Sequence, residues 1–139
     1  MDLYTQRLQK LQKEFLEINK KRANKWQFSN HQQIMYDFVM QQKKSSTMTI
    51  NDQDIKIYKG DENFGFKHIL LRHYCDNCPG EITARDILNI GNVIKQNIIV
   101  PSKKEDRINY IQNKNEEKYT VVLTKKKNGD LIFTFFSSK

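Results

Sequence analysis

The sequence of 139 residues contains no run of 18 apolar residues, the length expected of a helix that crosses a membrane. A transmembrane helix is therefore excluded. The first six residues, Met-Asp-Leu-Tyr-Thr-Gln, also lack the basic and then apolar segments of a secretory signal. We expect a cytoplasmic chain with no membrane partner.

Cysteine is scarce, and its placement is incomplete for a zinc site. Cys75 and Cys78 form a Cys-Asp-Asn-Cys motif, but no cysteine or histidine follows Cys78. A structural zinc ion normally has four tetrahedral ligands, so His68 and His73 would have to leave a predicted helix to complete the set. Zinc, a disulfide and two free thiols stay open as alternatives, and two free thiols in a turn are favoured. Neither a metal nor a cofactor is predicted.

Positive charge clearly exceeds negative charge. The chain has 24 Lys and Arg against 16 Asp and Glu, which gives a formal net charge of +8 and a pI near 9.5. Such a field attracts polyanions, including nucleic acid, but it specifies neither a base sequence nor a reaction. The length is that of one ordinary domain with a real core.

The N-terminal part of the chain has the pattern of two amphipathic helices. The first is predicted over residues 2–26, and Ser29 with Gln32 forms a capping box that opens a second helix reaching about residue 42. A polar break follows, so we predict an N-terminal helical segment over residues 1–45 and a second domain over residues 46–139. The first helix carries a narrow apolar stripe: Tyr4, Leu8, Leu11, Phe15 and Ile18.

Short alternating runs predict strands in the second part of the chain. Residues 47–50 and 55–58 form a hairpin with an Asx-rich turn. Asn128-Gly129 is a type I′ turn signal near the C-terminus. The predicted fold class is therefore α+β, with N-terminal helices followed by a helical pair packed on a small antiparallel β-sheet, a meander. The meander strands are predicted over residues 107–111, 118–124 and 130–136.

The same alternation predicts which side chains of the meander face the core. One face is apolar and lies under the helices: Tyr119, Val121, Leu123, Leu131, Phe133 and Phe135. The other face combines cationic, hydroxyl and apolar side chains, which is the composition of a groove for a ligand with a phosphate and a base. Its members are Arg107, Asn109, Lys118, Thr120, Thr124, Ile132, Thr134, Phe136 and Ser138.

The stretch from Phe64 to Cys75 combines a helical apolar pattern with titratable side chains. In a helix over residues 66–74, His68 and Arg72 are four apart and share one face, so they are favoured as the functional pair. His73 lies near the apolar positions, where a structural role is as well supported as a functional one. About 140° separates the two histidines around an ideal helix, so they converge only if the helix ends or bends near His73.

A further helix is predicted from residue 83 to about residue 96. Thr83 and Asp86 form its cap, and Ile87, Ile90 and Ile94 form its apolar stripe. Gly91 lies on that apolar side. It indicates a close approach to another element rather than a catalytic loop.

The order of these motifs resembles a known superfamily of nucleases. The motifs are Lys67-His-Ile-x-x-Arg-His73, Ile82-Thr-x-x-Asp-Ile87, Arg107-x-x-Tyr110, Lys118-Tyr-x-Val-Val122 and Asn128-Gly-Asp-Leu-Ile-Phe-Thr-Phe-Phe136. They are similar to those of the superfamily that unites barnase, EndoU, the tRNA-cutting colicins and RelE, in the branch found in phage head-associated and polymorphic-toxin proteins. The resemblance covers roughly residues 64–138.

This resemblance implies a toxin-like, metal-independent endoribonuclease with helices on one face of a small antiparallel sheet and the active site on the other side. Transesterification requires a base for the 2′-hydroxyl, an acid for the departing 5′-oxygen, and cations or hydroxyls near the phosphorane. The resemblance implies histidines as proton carriers, arginines as phosphate clamps and a threonine as a donor, and which histidine is the base stays open. The implied catalytic residues are His68, His73, Arg72, Arg107 and Thr134. The residues expected to bind substrate are Lys67, Lys118, Thr120 and Ser138.

The implied partners are RNA, either tRNA or another cellular RNA, and an acidic protein inhibitor that covers the basic groove. Such a protein would act in the cytoplasm, or would reach that of a target cell as a fragment of a secreted toxin. The main alternative is a non-enzymatic module that binds nucleic acid or protein on a nuclease-like sheet. Convergence of the histidine, arginine and threonine side chains on one pocket favours the enzyme, and burial of both histidines in apolar packing favours the binding module.

Overall fold

The computed structural model of the chain describes residues 1–127 and 131–138, without the side chains of residues 131 and 132. The predicted Asn128-Gly129 turn, and the predicted faces of Leu131 and Ile132, lie outside the described residues. The helices are α1 (Leu3–Arg22), α2 (Asn30–Met40), α3 (Gly65–His73), α4 (Ala84–Leu88) and α5 (Ile90–Lys95). The strands are β1 (Ser45–Ile50), β2 (Gln53–Tyr58), β3 (Ile99–Val100), β4 (Arg107–Lys114), β5 (Glu117–Lys125) and β6 (Leu131–Ser138).

The strands form one sheet in the order β1-β2-β6-β5-β4-β3, and all neighbours are antiparallel except β2 and β6. The predicted α+β class and the antiparallel meander of β4, β5 and β6 are confirmed. The N-terminal hairpin is also part of this sheet, because β2 pairs in parallel with β6 at Ile55 and Leu131. Its turn consists of Asn51 and Asp52, whose φ angles of 52° and 63° are those of a type I′ turn.

One hydrophobic core lies between the helices and the inner face of the sheet. The predicted stripe of α1 is buried in it at Leu8, Leu11, Phe15 and Ile18. The inner face contributes the alternating residues of the predicted meander, with Val121, Leu123, Phe133 and Phe135 buried. Residues before and after position 45 therefore contribute to the same core, and the predicted division at that position stays a prediction. None of the described helices is long and apolar enough to cross a membrane.

Side-chain caps explain where α2 and α4 begin. The Ser29 N–H donates to Gln32 Oε1 at 2.9 Å, and the Thr83 N–H donates to Asp86 Oδ2 at 2.8 Å, so both predicted capping boxes are present. The single helix predicted to about residue 96 is instead two helices, α4 and α5. They are separated at Asn89, whose ψ of 16° departs from regular helix geometry.

Two contacts with α1 hold the C-terminal end of α3. Arg7 donates to the carbonyl of Leu70 at 2.8 Å and to the carbonyl of Leu71. These carbonyls lie in the last turn of the helix, where a cation is favourable because the helix dipole is negative at that end. The Tyr74 hydroxyl, next in the chain after α3, donates to Glu14. The N-terminal helix thus fixes the position and direction of α3.

His31 of α2 packs on Gly91, where a Cβ atom would lie 2.4 Å from the imidazole Cγ. The predicted close approach at Gly91 is confirmed. His31 is 7% exposed, its Nε2 lies 3.1 Å from Asn92 Oδ1, and its buried Nδ1 has no hydrogen-bond partner among the described residues. Burial lowers the pKa of His31, and the nearby Lys95 adds to this effect. The imidazole is therefore neutral in the folded protein near neutral pH.

We predict that His31 makes the protein less stable at mildly acidic pH. Because its folded-state pKa is depressed, the unfolded chain takes up the proton first, and stability falls as the pH drops below the unfolded value of about 6.5. Urea unfolding at pH 7 and pH 5 should show a smaller acid-induced loss in His31→Gln than in the parent. An equal loss in both proteins would contradict this role. A residual loss is expected in the variant, because the pKa of His73 is also lowered.

Candidate active site

A cavity of about 460 Å³ lies where the start of α3 meets the outer face of the sheet. The loop before α3 and the first turn of the helix form one wall. Outward-facing residues of β4, β5 and β6, including Arg107, form the floor, and Lys126, which directly follows β5, also lines the cavity. The lining residues are Asn63, Phe64, Gly65, His68, Arg107, Val122, Thr124, Lys126, Phe133, Thr134 and Phe136.

This cavity brings together three of the five residues assigned to catalysis by resemblance, namely His68, Arg107 and Thr134. Strand register explains how residues so far apart in sequence meet. Arg107 pairs with Thr124, and Val122 pairs with Thr134, so these side chains occupy adjacent rows of the outer face. Side chains at alternate positions of a strand share one face, which puts the guanidinium and the threonine hydroxyls on the same side.

A backbone carbonyl orients the His68 ring. Nδ1 of His68 lies 2.7 Å from the carbonyl oxygen of Glu62, in the loop before α3. Because a carbonyl oxygen can only accept, Nδ1 carries the proton in this contact, and Nε2 is the nitrogen free to exchange a proton. The side chain is half-buried and therefore accessible to a ligand in the cavity.

His73 lies beside His68 but is not part of the cavity lining. The two ring centroids are 6.2 Å apart, and the His73 ring also lies 5.9 Å from that of Phe136. From the sequence, the two rings were expected to approach each other only if the helix ended or bent near His73. The helix does end at His73. Its Nδ1 donates to the Pro79 carbonyl at 2.9 Å, so this ring also keeps Nε2 as its free nitrogen. Burial lowers the pKa of His73, and His68 and Arg72 lower it further.

The turn that follows α3 is closed by a disulfide between Cys75 and Cys78, whose Cα atoms are 5.7 Å apart. The preference for two free thiols was therefore wrong. Asn77 adopts a φ of 60°, which reverses the chain and returns Cys78 to Cys75. Among the described residues, no group of three or more His, Cys, Asp or Glu side chains could hold a metal ion. The same turn delivers the Pro79 carbonyl to His73.

The other residues predicted for the site lie outside this cavity. Arg72 is exposed on α3, so the arginine in the cavity with His68 is Arg107. Lys67 faces α1, with its ammonium 5.5 Å from the centroid of the Tyr4 ring. The other predicted binding residues occupy the distant end of the outer face: Thr120 is buried opposite Phe136, Lys118 pairs with Ser138, and Ser138 lines a different cavity.

The cavity lining includes four residues that were not predicted from the sequence to be part of the site: Asn63, Phe64, Thr124 and Lys126. Thr124 was predicted on the correct face of the sheet. The register of β4 and β5, in which Thr124 is the partner of Arg107, would have placed it next to that arginine. Asn63 and Phe64 belong to a loop whose path depends on Gly60 and Gly65, which have φ angles of 67° and 85°. The signal in the sequence that could have identified them is the pair Gly60 and Gly65, with Phe64 between them, directly before the helix that contains His68.

Charge distinguishes this cavity from its neighbour. Arg107 and Lys126 line the His68 cavity, and none of its described lining residues is acidic. The neighbouring cavity of about 470 Å³ is lined by Glu81, Asp86 and Glu117. A polyanionic ligand is attracted to the first and repelled by the second, since nearby like charges cost free energy. We therefore take the His68 cavity as the candidate active site.

No protein-family model matches this chain, and no curated protein matches its sequence.

We predict that Gly80→Ala displaces His73 and destabilises the protein. Gly80 has a φ of 71°, and a Cβ atom there would lie 2.7 Å from His73 Nδ1 and 3.1 Å from Phe136 Cβ. The left-handed conformation alone costs a non-glycine residue roughly 1–2 kcal/mol. Urea unfolding should show a loss of at least this size, and the imidazole NMR signals of His73 should shift.

Asn77→Ala is the matched control, because it places alanine at another left-handed position of the same turn, with φ of 60°. Its loss of stability should come without a shift of the His73 signals. Equal His73 spectra in the parent and in Gly80→Ala would contradict the proposed role of the turn in holding this ring.

Proposed function

We propose that this protein is a metal-independent endoribonuclease that cleaves cellular RNA by attack of the 2′-hydroxyl on the adjacent phosphate. The observation that carries the proposal is the convergence of His68, Arg107 and Thr134 on one basic cavity, with His73 packed against His68. These groups come from α3, β4 and β6. They match the residue types that the resemblance assigns to this chemistry.

Each group has a defined task in the proposed reaction. One imidazole removes the proton of the 2′-hydroxyl, and the other protonates the 5′-oxygen as the P–O bond breaks. Arg107 can bind two phosphate oxygens at once through its planar guanidinium. The Thr134 hydroxyl donates to a phosphoryl oxygen that gains negative charge in the transition state. The products are a 2′,3′-cyclic phosphate and a free 5′-hydroxyl, so no water molecule is consumed in this step.

The environments of the two histidines favour a division of these tasks. Burial lowers the pKa of His73, which keeps its ring neutral, as a general base requires. His68 lines the basic cavity, next to the position of the phosphate. We assign His73 as the base and His68 as the acid. The two ring centroids are 6.2 Å apart, so the two proposed proton carriers lie next to each other.

An acidic protein inhibitor is the partner expected for such an enzyme, because uncontrolled cleavage of RNA harms the cell that makes it. The net charge of +8 provides the complementary surface. A second candidate function is RNA binding without cleavage. It is favoured by the packing of the half-buried His73 ring against Phe136, at 5.9 Å between centroids, because such packing also suits a structural histidine.

The first experiment is incubation of the purified protein with total RNA in excess chelator. We predict that the parent cleaves the RNA and that His68→Ala reduces the rate about 10²- to 10⁴-fold, the usual range for a general acid or base. Gel electrophoresis gives the rate, and a test for the 2′,3′-cyclic phosphate end identifies the chemistry. A thermal melt establishes that the variant is folded.

Three results would overturn the proposal in different ways. Cleavage that stops in chelator contradicts metal independence, and equal rates for the parent and His68→Ala contradict the assigned site. Intact RNA that the parent nevertheless retains on a filter supports the binding module instead.

A second prediction concerns the phosphate clamp. Arg107→Ala should lower the cleavage rate by roughly 10²- to 10³-fold, because a donor to the developing charge is lost. Arg85→Ala is the matched control: Arg85 is an exposed arginine on α4 and does not line the cavity. Equal losses in both variants would show that only the overall positive charge matters.

A further inference from the structure

We propose that Phe64 is a stacking platform for an unpaired nucleobase, and that the ligand of the His68 cavity is therefore single-stranded RNA. Phe64 is 39% exposed and lines this cavity. An aromatic side chain left open to solvent gains little for folding, but it offers an apolar face to a planar ligand. The inference rests on the proposed function, since it names the substrate class of the same site.

The loop before α3 holds Phe64 in place before any ligand arrives. Asp61 accepts from the N–H groups of Asn63 at 2.8 Å and Phe64 at 3.3 Å, and the Asp61 N–H donates to the Phe64 carbonyl at 3.0 Å. Gly60 packs closely on the end of this loop, because a Cβ atom on Gly60 would lie 2.2 Å from the Phe64 carbonyl oxygen and 3.0 Å from Gly65 Cα. A platform fixed in this way loses little conformational entropy on binding.

The surroundings of the ring fit the other parts of a nucleotide. The ammonium of Lys126 lies 5.2 Å from the centroid of the Phe64 ring. A base that stacks on this face would take the place of the ammonium, and the flexible lysine could then pair with the phosphate backbone. Arg107 and Thr134 lie in the same cavity. Aromatic, cationic and hydroxyl groups are thus combined at one site, as in binding sites for single-stranded nucleic acid.

The platform is also coupled to the candidate chemistry through the same loop. The Glu62 carbonyl orients His68, and Phe64 follows two residues later. A base stacked on Phe64 would thus set the position of its own phosphate relative to His68. A base in a duplex already stacks on its neighbours and has no free face, so the site selects unpaired nucleotides.

The test measures binding apart from cleavage. A short single-stranded RNA with 2′-O-methyl riboses cannot undergo 2′-hydroxyl attack, and fluorescence anisotropy gives its affinity. We expect Phe64→Ala to weaken binding roughly 5- to 100-fold, the usual effect of losing one base stack, and Phe64→Trp to retain it. Trp26→Ala is the matched control, because Trp26 is another exposed aromatic residue, at 43% exposure, and does not line the cavity.

A fully abasic oligonucleotide of the same length separates stacking from charge. The parent and Phe64→Ala should bind it equally, since only the backbone remains. Equal affinity of the parent and Phe64→Ala for the 2′-O-methyl RNA overturns the inference, as does equal affinity of the parent for duplex and single strand. If natural RNA is not cleaved but binding still depends on Phe64, the proposed reaction fails and the proposed ligand stands. If natural RNA is cleaved but binding does not depend on Phe64, the proposed reaction stands and the proposed role of Phe64 fails.

Discussion

The site depends on one constraint, which is that α3 buries one side in the core while its other side reaches the outer face of the sheet. Phe66, Ile69 and Leu70 are almost fully buried, and this burial fixes the rotation of the helix about its axis. Arg7 and Glu14 of α1 fix its C-terminal end. His68 therefore has little freedom to leave the cavity. Because one side of α3 is buried in the core and His68 on its other side lines the cavity, one element serves both the core and the site.

Hydrophobic periodicity was sufficient to predict most of the elements. The stripe of α1, both capping boxes and the inner face of the meander followed from spacings of three to four and of two residues. The break at Asn89 could not be predicted, because α4 and α5 continue one apolar pattern while the chain changes direction. The parallel contact between β2 and β6 could not be predicted either, because it is a single residue pair between strands that are separated by residues 59–130.

The candidate site was predictable only in part, for a related reason. His68, Arg107 and Thr134 were identified by residue type and by resemblance, and strand register brings them together. Arg72 was expected to act with His68 because the two residues share one face of the helix. It is instead exposed and does not line the cavity, because sharing a helix face does not mean that both side chains contact the same neighbouring strand. The cavity is lined by α3 only at Gly65 and His68, and the arginine that lines it is Arg107. The net charge of the chain also did not predict where a polyanion would bind, because it gives no sign that acidic residues line the neighbouring cavity.

Both histidines are oriented by main-chain carbonyls rather than by carboxylates, and this choice has chemical consequences. A carboxylate next to an imidazole stabilises the charged form and raises its pKa. The carbonyls of Glu62 and Pro79 instead fix the tautomer without adding a full negative charge to the site. The lowered pKa of His73 and the cationic lining of the neighbouring cavity are thus combined without an acidic side chain among the described residues that line the cavity. The orientation of both imidazole rings consequently depends on two turns, which contain left-handed residues at Gly60, Gly65, Asn77 and Gly80.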